Sequence, residues 1–66
     1  MNIYLNGEPH QLPDNTSIAG LLEQLDLVDK RLAVEINEDL ITRKRFAEYQ
    51  IQPEDRVEIV QAIGGG

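Results

Sequence analysis

Apolar and polar side chains alternate from the first residue: Met1, Ile3 and Leu5 against Asn2, Tyr4 and Asn6. A period of two is that of a strand with one buried face. Asn6-Gly7 follows, a pair that tolerates positive φ and is the strongest short-range hairpin signal. A second strand is therefore expected over about residues 8–12. A strict two-residue turn would set Ile3 opposite His10 and Leu5 opposite Glu8, whereas Pro9 suits an edge strand or a longer turn. After the loop Pro13-Asp14-Asn15-Thr16-Ser17 the period changes. Ile18, Leu21, Leu22 and Leu25 recur at i, i+3, i+4, i+7, the apolar stripe of an amphipathic helix. Asn15 or Thr16 is the expected N-cap. Gly20 lies within the stripe at a cost of about 1 kcal/mol against alanine, which reads as close packing of the helix on a sheet. Residues 26–30 form a polar exit containing Leu27 and Val28.

The period of two returns at Leu32, Val34 and Ile36. Asn37-Glu38 is a turn, and Asp39-Leu40-Ile41 a short strand. Thr42 can cap a helical turn over residues 44–49, with Phe46 and Tyr49 on one face. Ile51 anchors a loop, and Gln52-Pro53-Glu54-Asp55 has turn chemistry. Residues 56–62 read as the last strand, Val57 and Ile59 on one face and Glu58, Val60 and Ala62 on the other. The order strand, strand, helix, strand, strand, short helix, strand predicts an α+β layer arrangement. It matches the β-grasp (ubiquitin-like) roll: a mixed four- to five-stranded sheet, one main helix packed on one face, and a central last strand parallel to the first. The expected core is Ile3, Leu5, Ile18, Leu21, Leu22, Leu25, Val34, Ile36, Ile51, Val57 and Ile59, with Leu40 and Phe46 near its edge. Residues 1–62 are expected to form the domain and residues 63–66 a flexible glycine tail.

Sixty-six residues make one small domain, which buries about 60% of the surface its unfolded chain exposes. Without cysteine there is no disulfide and no thiolate-held zinc or iron–sulfur cluster. His10 alone builds no metal site, so no metal is expected. A net charge of −6 argues against nucleic acid and suits docking on a basic surface. No apolar run approaches the ~20 residues of a membrane span, and Met1-Asn2-Ile3-Tyr4 has no basic or apolar leader pattern. The expectation is a soluble, cytoplasmic domain without nucleic-acid or membrane partners.

Three of the five glycines close the sequence, in Ala62-Ile63-Gly64-Gly65-Gly66. Three residues without Cβ form a thin strand with a carboxylate at its tip, able to reach roughly 10 Å into a narrow site of another protein. Enzyme atoms must surround the terminal carbonyl within ~3 Å, and a side chain on the last residue would crowd them. Val60, Ala62 and Ile63, with Tyr4 beside them on the outward face, are a candidate docking patch next to the tail. Arg43-Lys44-Arg45 is the basic run of an acidic chain, either a solvated turn or an ion-pair contact that steers docking. His10 is read as a surface residue of an edge strand. Glu35 and Glu58 are expected to face solvent.

Ile3-Tyr4-Leu5-Asn6-Gly7, Leu21-Leu22-Glu23-Gln24-Leu25, Val34-Glu35-Ile36-Asn37 and the last ten residues, Val57 to the terminal glycines, carry a resemblance to the ThiS family of ubiquitin-like sulfur carriers. The resemblance spans the whole chain; its internal motifs are weak and its last ten residues specific. It implies a protein cosubstrate that catalyses nothing and binds no cofactor. The Gly66 carboxylate would be adenylated with ATP by a ThiF-like adenylyltransferase, and Gly65 and Gly64 would give access. A sulfur donor such as a cysteine desulfurase system would then convert it to a thiocarboxylate. The thiocarboxylate would serve a ThiG-like thiazole synthase in thiamine biosynthesis. Partner contacts would come from Ile63, Ala62, Val60, Tyr4 and Arg43. The small subunit of molybdopterin synthase has the same tail chemistry in a longer chain. A ubiquitin-like protein modifier, or an interaction domain with an inert tail, is the reading of a different class.

Overall fold

In the computed structural model, which describes residues 1–62, the alternating segments become strands β1 (Asn2–Leu5), β2 (Glu8–Gln11), β3 (Leu32–Ile36), β4 (Asp39–Ile41) and β5 (Arg56–Gln61). The 3.6-residue stripe becomes helix α1 (Ile18–Gln24), and a 3-10 helix spans Arg43–Arg45. The five strands form one mixed sheet in the order β2-β1-β5-β3-β4. The last strand is central, parallel to β1 and antiparallel to β3. This is the expected β-grasp arrangement, with five strands.

Both hairpins turn through two residues at positive φ, Asn6 (51°) with Gly7 (84°) and Asn37 (51°) with Glu38 (75°). Two left-handed residues in succession match the right-handed twist of flanking strands. The first turn sets Ile3 opposite His10 and Leu5 opposite Glu8, the strict two-residue register, with Pro9 on the outer strand. The second sets Val34 opposite Ile41 and Glu35 opposite Leu40.

That second register corrects an expectation about the core. Ile41 shares the inward face with Val34 and is buried, whereas Leu40 follows Glu35 outward and is 64% exposed. Leu12 is also buried, two residues beyond His10 on the face that holds Ile3. Phe46 is buried in the core cluster while also lining a cleft, and Leu5 and Leu25 are half-buried at the periphery. The remaining expected core residues (Ile3, Ile18, Leu21, Leu22, Val34, Ile36, Ile51, Val57 and Ile59) are buried as one cluster between α1 and one face of the sheet.

Helix α1 starts one residue later than its cap was expected. Ser17 is the N-cap, its Oγ accepting from Gly20 N at 3.0 Å, because the Thr16 hydroxyl donates instead to Pro13 O at 2.6 Å. Gly20 does not mark contact with the sheet. A Cβ there would meet Thr16 Cγ2 at 3.3 Å and Ser17 Oγ at 3.5 Å, atoms of the preceding loop. The first orphan amides of the helix find partners in the segment after the 3-10 helix, Ile18 N on Tyr49 O at 3.1 Å and Ala19 N on Phe46 O at 2.9 Å. Ile51 N returns to Thr16 O at 2.9 Å. These bonds seat the Arg43–Arg45 segment against the start of the helix. Thr42 occupies its N-cap position without a side-chain hydrogen bond.

Candidate functional site

The site is built around the end of β5. Alternation buries Val57 and Ile59 on the helix side and turns Glu58 and Val60 outward. Two turn asparagines hold this strand from opposite sides. Asn6 Oδ1 accepts from Ile59 N at 2.9 Å, and Asn37 Oδ1 accepts from Arg56 N at 2.9 Å. The first bond is needed because β1 pairs with β5 only through Tyr4 and Leu5, which leaves the amide of Ile59 beyond the end of β1. A half-buried amide without a partner costs about 1–3 kcal/mol. Asn37 Nδ2 also donates to Asp55 Oδ1 at 3.0 Å, tying the turn before β5 into the same frame. Neither asparagine was identified as more than a turn residue from the sequence. The side-chain role of each depends on a strand residue 19 or 53 positions away.

Beyond Ile59 the strand runs along β3 alone, with Val60 opposite Ala33 and Gln61 opposite Leu32. Ala62 N then donates to Arg31 O at 2.9 Å. This is the last described residue. Ile63, Gly64, Gly65 and Gly66 lie outside the described residues.

The expected docking residues fall on the open face of the sheet, but not as one patch. Val60 is 63% exposed and Ala62 is exposed. Tyr4, 41% exposed, shares their face but is level with Arg56. Val60 stands four positions further along β5 than Arg56, a span of about 13 Å, and Glu58 lies between. Tyr4 is therefore not beside Val60. Leu40, unforeseen here, is the outward apolar residue on β4, in the row Leu40–Glu35–Glu58. Glu35 directly opposes Glu58, as expected of outward residues. Like charges in that position are destabilising, so this pair does not serve the fold.

Arg43 lies on the other flank. Its guanidinium donates to Lys30 O at 3.2 Å and covers the Phe46 ring at 5.5 Å from the centroid. It lines a cleft with Ala19, Leu22, Val28, Lys44 and Phe46, between α1 and the 3-10 helix. His10 is half-buried on the edge strand, Nε2 3.0 Å from Gln24 Oε1. Among the described residues no group of three acidic, histidine or cysteine side chains could hold a metal ion. No helix among them is long and apolar enough to cross a membrane. The described surface offers exposed apolar side chains at the end of β5 and basic ones beside the α1 cleft, groups suited to recognition.

Comparison with known proteins extends the picture to the tail. The ThiS family profile matches residues 3–66. The chain is similar to the sulfur carrier protein ThiS of Escherichia coli (strain K12), 32% identical over 66 residues that cover the whole of both. It is 39% identical over 66 residues to the thiazole synthase of Magnetococcus marinus, where it spans 20% of that protein's length. A crystal structure of the thiamine biosynthesis protein ThiS from Geobacter metallireducens superposes with a TM-score of 0.85 at 28% identity, covering 100% of both chains.

Proposed function

The chain belongs to the ThiS family, and on that footing we propose that it carries sulfur for thiamine biosynthesis on the carboxylate of Gly66. The observation that carries this reading is the end-to-end match to the Escherichia coli carrier, with a family match that continues through the final glycines. The described structure supports it by bringing β5, the central strand, out along β3 toward those residues.

The chemistry follows from the leaving group. A carboxylate resists acyl substitution because oxide would have to leave. In the proposed sequence, a Gly66 carboxylate oxygen attacks the α-phosphorus of ATP in a partner adenylyltransferase and pyrophosphate departs. The terminal sulfur of a persulfide, supplied by a donor such as a cysteine desulfurase system, then adds to the acyl carbon and AMP leaves, giving an acyl disulfide. A second thiol attacks the donor's sulfur, forms a disulfide with it and releases the thiocarboxylate. Hydrogen-bond donors around the carbonyl stabilise the charge that develops on it, and glycine leaves them room. The thiocarboxylate then gives its sulfur to a thiazole synthase. The Magnetococcus thiazole synthase supports that partnership, since one fifth of its length aligns with this whole chain. The carrier itself performs no catalysis. Its contribution is a body that partners grip through Val60, Ala62, Ile63, Tyr4 and Arg43, and a tail they can thread.

Intact mass spectrometry tests the reading. Incubation with the adenylyltransferase, ATP and a sulfur donor should add the difference between one sulfur and one oxygen, and deletion of Gly66 should abolish the gain. No gain, or a covalent adduct to lysines of other proteins, would sink it. Gly66→Ala should leave folding unchanged and slow adenylation or sulfur transfer; normal turnover would refute the steric role of glycine.

A further inference from the structure

Five of the six basic residues (Lys30, Arg31, Arg43, Lys44 and Arg45) lie within residues 28–31 and 42–46, and Asp29 is the one acid among the twelve to fall there. Far apart in sequence, the two segments meet in space. Arg43 Nη2 donates to Lys30 O at 3.2 Å, and the next carbonyl, Arg31 O, accepts from Ala62 N at 2.9 Å. Arg31 therefore sits where β5 ends, and Lys30, Arg43 and Lys44 continue from it toward the cleft beside α1. All five are exposed. Arg45 is occupied, 3.9 Å from Glu48 and over the Tyr49 ring. Lys30, Arg31, Arg43 and Lys44 make no ion pair with another described residue. Glu23 is the one acid that lines the cleft beside Arg43 and Lys44.

The chain thus has an acidic body and a basic end, and that end is where the tail begins. Net charge alone points to a basic partner surface; the residues nearest the tail point the other way. We propose that Lys30, Arg31, Arg43 and Lys44 form a collar that orients the carrier on an acidic rim around the tail-binding channel of its adenylating partner. The proposal rests on the carrier reading above and adds the chemistry of the contact. An acidic rim attracts the collar and repels the rest of the body, including the Glu35–Glu58 face. Electrostatic torque then presents the tail first, before any short-range contact forms. Charge complementarity of this kind acts chiefly on the association rate and on wrong orientations, and salt screens it.

Stopped-flow association of the full-length carrier with its adenylyltransferase tests the collar. Arg31→Glu and Lys44→Glu, both at exposed positions, should each slow association about tenfold at low ionic strength. The loss should shrink as the Debye length falls from about 30 Å at 0.01 M salt to about 8 Å at 0.15 M. Glu54→Lys changes the net charge by the same amount with opposite sign in the turn before β5, far from the collar. It should leave the rate within about twofold. Unchanged rates for the two reversals, faster association, or a loss indifferent to salt would overturn the proposal. So would acceleration by Glu54→Lys as large as the reversals' slowing, which would show that only total charge matters. Wild-type protein that is adenylated normally while the reversals associate normally defeats the collar alone. Wild-type protein that is never adenylated defeats the carrier reading itself.

Discussion

The two faces of β5 obey different rules. Inward, Val57 and Ile59 pack in the cluster that holds Ile3, Ile18, Leu21 and Val34. Outward, Glu58 stands against Glu35, with Val60 and Leu40 left in solvent on the same face. The inner face is what folding selects: apolar area leaves water at about 25 cal/mol per Å². The outer face contains a like-charge pair and stranded apolar side chains, neither of which helps a 66-residue domain stay folded. The fold therefore places no demand on these outward side chains. The comparison separates residues that make the body from residues available to its partners.

The largest effect should come from the inner side. Leu21→Ala opens a fully buried site and should cost about 2–5 kcal/mol, a large share of the stability of a small domain. Denaturant unfolding measures it, and a cost below 1 kcal/mol would show that the inner face is not the chief support. Next is Asn6→Ala, which removes the acceptor for Ile59 N and a residue suited to positive φ, for about 1–3 kcal/mol. Faster amide exchange at Ile59 in the variant would confirm the route; unchanged protection would refute it. Glu58→Gln should act in the opposite direction, stabilising by about 0.2–1 kcal/mol through relief of the facing charge. The gain should fade in salt, and a loss of stability would reveal an unnoticed partner for Glu58. Smallest for the fold is Val60→Ser, expected to shift stability by no more than about 0.5 kcal/mol. Adenylation of the variant by the partner enzyme should nonetheless slow. Unfolding by Val60→Ser, or full activity with it, would erase the contrast between the faces.

Much of this was legible in sequence because it is local. The helix stripe, the strand alternation and both asparagine turns depend on residues within a few positions of one another. Leu12 and Ile41 were missed although the signal was present. A two-residue hairpin fixes which residues face each other, so the register through Asn6-Gly7 turns Leu12 inward with Ile3. The register through Asn37-Glu38 turns Ile41 inward with Val34, and Leu40 outward with Glu35. The Ser17 cap and the setting of Gly20 were less accessible, since competing hydroxyls differ only in which carbonyl or amide lies in reach. The placement of Tyr4 and Val60 on one patch failed because alternation assigns a face but not a position along a neighbouring strand.

The sequence by itself determined the element types, their order, which face of each is apolar, and a family resemblance concentrated in the last ten residues. Tertiary structure alone decided that β5 would be held by asparagines from two different hairpins. It also joined the basic segments 30–31 and 43–44 through the bond from Arg43 to Lys30 O, next to the carbonyl of Arg31 that receives Ala62 N. The physical reason is separation along the chain. The bond from Ile59 to Asn6 joins residues 53 apart, and no local propensity selects such a partner. It follows from burying the inner faces of five strands under one helix, which leaves a single place for each turn and therefore for each charge.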